Sequence, residues 1–289
     1  MDLLSTDLLG TPAWMWLTFL ATVLVLLVLD LGVLNRGNHE IGVARSLKLS
    51  AFYITLGLAF GGFVWWQMGA ESAGLYLTAF IVEKTLAMDN VFVIAMIFTY
   101  FAIPREYQHR VLFWGILGVI VLRGLMIGFG AALVTQYHWI LYFFAAFLIF
   151  TGIKMLVTDE AQVDISKNPV LGFLRRRLRV TEALHGNNFF PRLPDPQTGR
   201  LATYATPLFL ALAMVEIADL IFAVDSIPAV FAITTDTFIV YTSNIFAILG
   251  LRALYFALAA IIHRFHYLKY ALGVLLVFIG SKVFVADLF

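Results

Sequence analysis

Eight stretches of the chain stay apolar for long enough to cross a bilayer, which takes about 20 residues in a helix. They cover residues 13–34, 50–69, 75–100, 111–134, 137–157, 205–233, 238–262 and 267–286. Each is a continuous apolar run and not a ten-residue alternating segment, so the pattern argues against a membrane β-barrel. The expected fold is all-α: a polytopic helical membrane protein of about eight transmembrane helices. It forms a single transmembrane domain over 1–289, interrupted by one sizeable polar loop at 159–204. The first span is not read as a signal peptide, because no Lys or Arg precedes Arg36.

The polar positions between spans give an orientation. The loops after spans one, three, five and seven, with the span ends beside them, hold fifteen of the nineteen Lys and Arg. The other four are Lys84, Arg123 and Arg252 inside spans, and Lys282 near the end of the last. By the positive-inside rule those four loops face the cytoplasm, and both termini lie outside a cytoplasmic (inner) membrane. Within the 159–204 loop, Asn168-Pro169 opens a stretch that mixes Leu, Val and Phe with an Arg cluster, as an interfacial amphipathic helix does. Pro191, Pro194, Pro196 and Gly199 predict a hairpin or turn after it. A plain connector and a regulatory or partner-binding segment are both open readings of this loop.

Composition agrees with the span pattern. Of 289 residues, 62% are hydrophobic and 13% charged, with mean hydropathy +0.92. A soluble domain carries about 25% charged residues, so a water-soluble enzyme is excluded. The net charge of +1 offers no basic field for nucleic acid. No phosphate-binding GxxxxGK[ST] loop occurs, so no ATP motor is encoded. The chain has no cysteine, which removes disulfides, thiolate metal ligands and dithiol redox pairs.

An internal repeat is visible. Val82-Glu83 through Asp89-Asn90 resembles Val215-Glu216 through Asp225-Ser226, the second copy carrying three extra positions. Gly118 and Arg123 answer Gly250 and Arg252. Gly152 and Lys154 match Gly280 and Lys282 at a constant spacing of 128. Repeat A covers about 75–159 and repeat B about 205–289, three spans each, with the spans at 13–69 accessory. An odd number of spans inverts the second copy, the arrangement of many secondary transporters, whose site lies at midplane where the repeats meet.

Nine charges fall inside spans: Asp30, Glu83, Lys84, Asp89, Arg123, Glu216, Asp219, Asp225 and Arg252. Each costs about 2.5–3.5 kcal/mol at mid-membrane on insertion scales. Acids outnumber bases six to three, so a divalent cation or protons would neutralise the excess. The candidate metal ligands are Glu83, Asp89, Asn90, Glu216, Asp219, Asp225 and Ser226; Lys84, Arg123 and Arg252 are read as counter-ions. Asp30, Asn244, Met88 and Met214 are further candidates, the methionines as soft donors or as ordinary packing. Glu83 and Asn90 share a helix face, as do Glu216, Asp219 and Ser226, whereas Asp89 and Asp225 point elsewhere on straight helices. Convergence of all these groups requires a helix break near the aspartates, which Pro228 suggests, or neighbouring helices on two sides. With no Cys and no His at midplane, oxygen ligands favour Mn²⁺, Mg²⁺ or Ca²⁺ over zinc or copper.

The stretches VEKTLAMDNVFV (82–93), VEIADLIFAVDSIPAVFAIT (215–234) and SNIFAILGLRALYF (243–256) resemble the TerC family of integral membrane proteins, and within it the Alx-like members. The resemblance implies manganese handling, with Mn²⁺ exported from the cytoplasm as substrate. It puts the family's acidic motifs on Glu83, Asp89, Asn90, Glu216, Asp219, Asp225 and Ser226. Some members are described as redox modulators, and others are tied to tellurium resistance or to supplying metal to exported proteins; the lack of cysteine argues against direct thiol chemistry in this chain. Three function classes follow. The first is a non-enzymatic divalent-cation exporter, with proton exchange left open. The second is an intramembrane aspartyl protease using Asp89 and Asp225 as a proton-sharing dyad. It lacks a Gly-x-Gly-Asp motif and leaves four buried acids without a role. The third is a membrane component without transport of its own.

Overall fold

The computed structural model describes residues 6–29, 42–158, 165, 168–195, 199–258 and 267–286. Asp30 and the side chain of Arg252 lie outside the described residues. The chain is a helical membrane protein. Its helices are α1 (Ala13–Leu29), α2 (Val43–Tyr100), α3 (Arg105–Gln136), α4 (Ile140–Val157), α5 (Pro169–Arg177), α6 (Pro207–Phe231), α7 (Thr237–Leu249), α8 (Leu251–Leu258) and α9 (Leu268–Ala286). Among the described residues α2, α3, α4, α6 and α9 are long and apolar enough to cross a membrane; α1 and α7 are shorter apolar helices.

The 58-residue α2 is two limbs, not one rod. Gly69 lies at φ +89°, a conformation open to glycine and costly for other residues, and the chain turns back there. The limbs then pack face to face. Tyr76 donates from its hydroxyl to the Gly57 carbonyl at 2.9 Å, and the Phe80 ring fills the space a side chain at Gly57 would need. The limbs correspond to the separate spans expected at 50–69 and 75–100. The span expected at 238–262 is divided into α7 and α8 at Gly250. Lys84 explains the division: its ammonium takes the Ala247 carbonyl at 2.9 Å. In an unbroken helix that carbonyl would accept from Leu251.

Pro228 does not break α6. The helix runs through it and ends three residues later at Phe231, so Pro228 sits in the last turn. Neither acidic motif interrupts its helix; the one non-helical residue inside α2 is Gly69. In the 159–204 loop, the Asn168 side chain accepts from the backbone of Val170 at 2.9 Å and so caps α5, with Pro169 in its first turn. Strands β1 (Asp7–Leu8) and β2 (Thr11–Pro12) form a small hairpin before α1. Strands β3 (Arg192–Pro194) and β4 (Leu201–Thr203) form the antiparallel hairpin expected from the prolines.

Helices α4 and α9 touch through their backbones. A methyl group at Gly152 would lie 2.6 Å from the Gly273 carbonyl, and one at Gly280 would lie 2.6 Å from the Ala145 carbonyl. As residue number rises along α4 the partner's number falls along α9, so the helices are antiparallel. Small residues at a helix crossing allow such an approach. Gly152→Val should therefore cost about 1–3 kcal/mol, as overpacking does, and lower the unfolding temperature in detergent. Gly62→Ala, which meets no atom within 4 Å, should leave that temperature unchanged.

Candidate functional site

On two helices an acid is followed seven residues later by a neutral polar group: Glu83 and Asn90 on α2, Asp219 and Ser226 on α6. Seven residues make nearly two turns, so each pair lies on one face. The two faces meet head to tail. Ser226 donates to Glu83 at 3.3 Å, and the Asn90 amide donates to Asp219 at 3.1 Å. Asp219 stands 136 residues after Glu83, and Ser226 stands 136 after Asn90, so this spacing exchanges the two contacts. In that register the partner of Glu83 is Asp219 and that of Asp89 is Asp225, with no extra positions. The Val-Glu dipeptides instead align Glu83 with Glu216, so the two registers stand as alternatives.

Arg123 of α3 lies between these faces and is 1% exposed. Its Nε and one terminal nitrogen grip both oxygens of Asp219 at 2.9 Å, the bidentate geometry a guanidinium favours. The other terminal nitrogen pairs with Glu83 and reaches Ser226 Oγ at 3.2 Å and Asn244 Oδ1 at 3.4 Å. The arginine is thus the counter-ion expected from the sequence, shared by two acids. Two oxygens at the edge of this network have no hydrogen-bond partner: Oε2 of Glu83 and Oδ1 of Asn90.

Beside the network opens a cavity of about 470 Å³, lined from α2, α4, α6, α9 and by Arg123 of α3. Asp89 and Asp225 line it, turned toward α4 and α9. Asp225 faces the Thr151 hydroxyl and the Lys154 ammonium. The acids on two helix faces therefore meet neighbours on two sides, and no break is needed. Lys154 and Lys269 also line the cavity. The charge pattern places these two lysines with the loops and span ends; the structure sets them on the cavity wall, where with Arg123 they offset Glu83, Asp89 and Asp225. Lys154 had one signal in the sequence, its match to Lys282 in the second repeat.

The remaining candidates sit apart from the cavity. The Glu216 carboxylate presses against Gly118 on α3 and fills the space a side chain there would need. Lys84 is not a counter-ion in the described contacts but holds the end of α7, as a cation suits a helix C-terminus. Met88 and Met214 pack in an apolar cluster with Ile94, Val111 and Leu251 and do not line the cavity. Asn244 joins through Arg123. Among the described residues no group of three His, Asp or Glu is arranged to hold a metal ion; Arg123 pairs with both Glu83 and Asp219.

The sequence profile of the integral membrane protein TerC family matches residues 68–289, the part of the chain that carries this cluster. The chain belongs to the TerC family. Relatives extend the match over nearly the whole length. Alx of Salmonella typhi, described as a proposed membrane-bound redox modulator, is 47% identical over 290 residues, covering 97% of this chain and 88% of that protein. The protein of the same description from Escherichia coli strain K12 is 46% identical over 289 residues, with the same coverage. An uncharacterized membrane protein of Rickettsia bellii is 47% identical over 270 residues, covering 93% of this chain and 87% of that protein. No solved structure matches. In this family member the arginine bridge should be a main support of the fold. Asp219→Ala leaves a buried guanidinium without its bidentate partner and should cost about 3–5 kcal/mol, read as lost folded yield in detergent extracts.

Proposed function

We propose that this TerC-family protein is a secondary transporter that exports divalent cations from the cytoplasm, with Mn²⁺ as the preferred substrate. The observation that carries the reading is the 470 Å³ cavity whose acids, Glu83, Asp89 and Asp225, adjoin a buried oxygen-rich cluster. Its donors are carboxylates, amides and hydroxyls, which suit hard divalent ions. The orientation expected from the loop charges, with both termini outside an inner membrane, defines the direction of export. In that orientation the last turn of α4 and the first of α9 face the cytoplasm, and the cavity reaches them at Lys154, Thr158 and Lys269. Toward the other side, Ile227, Val230, Phe231 and Val240 pack into an apolar seal. A cavity open inward and closed outward is the loading state of an exporter.

Inverted repeats support alternating access. The spacing of 136 exchanges the Glu83–Ser226 and Asn90–Asp219 contacts, and the spacing of 128 exchanges Gly152–Gly273 with Ala145–Gly280. A two-fold axis between two copies has this property. Carboxylates that bind metal when ionised would release it on protonation from the outer side, so proton exchange is part of the proposal. The redox description attached to relatives would then be an indirect effect of metal level, since this chain has no cysteine.

Purified protein in liposomes should move Mn²⁺, and the flux should rise when the receiving side is acidic. Asp89→Asn and Asp225→Asn keep side-chain size and remove a charge on the cavity wall. Each should abolish flux at unchanged membrane abundance; wild-type flux in both would remove the cavity from the mechanism. Orientation has its own test, uncomplicated by native cysteines. Glu71→Cys and Thr235→Cys should label with an impermeant maleimide from outside. Glu106→Cys and Ala183→Cys should label only after the membrane is opened.

A further inference from the structure

We propose that the Arg123 guanidinium is a tethered stand-in for the transported cation, seated among Glu83, Asp219, Ser226 and Asn244 until a divalent ion displaces it. The inference rests on the transport reading above. A guanidinium stays charged at any pH the cell reaches and only donates. Every partner that Arg123 has here is an oxygen: both of Asp219, one each of Glu83, Ser226 and Asn244. They come from three helices and are the donor types a hard divalent ion takes. The arginine thus occupies a cage of the kind its substrate needs.

The cage is also not closed. Glu83 is 0% and Asn90 3% exposed, yet Oε2 of the first and Oδ1 of the second have no partner, and both residues line the cavity. An unpartnered buried acceptor costs free energy, so these two oxygens are ready acceptors for an arriving cation. Asn90 and Asp219 also line a second void of about 30 Å³, room for a single water-sized particle. The cluster thus borders two spaces. When the metal leaves, the guanidinium returns, and Glu83 and Asp219 are never left buried without a cation. The returning carrier then keeps Glu83 and Asp219 neutralised by the guanidinium, which leaves proton exchange to Asp89 and Asp225 on the cavity wall.

Competition for one cage fixes the expected result. If the guanidinium holds the cage in about nine molecules of ten, the apparent affinity of the wild-type protein for metal is reduced about tenfold. Full-length Arg123→Ala, checked for fold by gel filtration and circular dichroism, should bind Mn²⁺ about tenfold more tightly by titration calorimetry. Its net transport should slow, because the emptied site lacks its resident cation. Millimolar free guanidinium should weaken Mn²⁺ binding to Arg123→Ala and leave the wild type unaffected. Should Arg123→Ala not be recovered folded, Arg123→Lys serves instead: its single ammonium cannot bridge both acids, and its affinity for Mn²⁺ should also rise. A purely structural arginine predicts the reverse, weaker metal binding in every variant. Equal or weaker binding in a folded variant, with a wild type that binds Mn²⁺, overturns this inference and spares the transport reading. Absence of Mn²⁺ binding in wild type and variants alike overturns both.

Discussion

One guanidinium held by two carboxylates in an apolar interior sets the arrangement of the core. An isolated charge at that depth costs about 2.5–3.5 kcal/mol on insertion scales, and three of them must be brought within contact of each other. Arg123, Glu83 and Asp219 are on three helices, so satisfying them fixes where α2, α3 and α6 cross and how each is rotated. Rotation is the consequential part. With Glu83 and Asp219 turned inward on the arginine, Asp89 and Asp225 turn toward α4 and α9. The wall of the cavity follows from the pairing beside it.

The two layers around that cluster differ in how they are held. The α2–α3–α6 crossing is held by charge, with geometry specific to bidentate pairing. The α4–α9 contact is held by close glycine backbones with side chains set into the gaps they leave: Val277 lies against Gly152 and Leu156 against Gly273. Such interlocked packing is apolar and non-directional, whereas a buried ion pair is either made or broken. The cavity lies between these two layers, and lysines and acids share its wall.

Much of the fold was legible because the bilayer constrains sequence strongly. The spans, the gap between those ending at 69 and starting at 75, and the loop hairpin follow from runs of apolar residues and from Pro and Gly placement in the loop. The acids and Arg123 stood out because charge inside a span is rare. What stayed hidden depended on partners far along the chain. Lys84 was an in-span cation like the others until its contact with Ala247, 163 residues away, gave it a different task. The Val-Glu dipeptides draw the repeat into a register with three extra positions, whereas Asp-Asn and Asp-Ser align without a gap at the spacing of 136 that exchanges the buried contacts. Lys154 and Lys269 were assigned to loops because charge counting sees only distance from the span ends. Pro228 signalled a break, but α6 continues through it for one more turn and ends at Phe231.

The long reach of these contacts bears on biogenesis. Glu83 and Lys84 emerge from the ribosome before anything that pairs with them. Arg123 follows 40 residues later and Ala247 follows 163 residues after Lys84. At about 5–20 residues per second, the second wait is on the order of 8–30 s. During that time a half-made bundle carries an acid and a base side by side in α2 with their final partners not yet synthesised. The nascent helix must stay near water, lipid headgroups or the insertion machinery until the rest arrives. The residues that give the finished protein its single arrangement are thus the ones that make its assembly intermediates most dependent on timing.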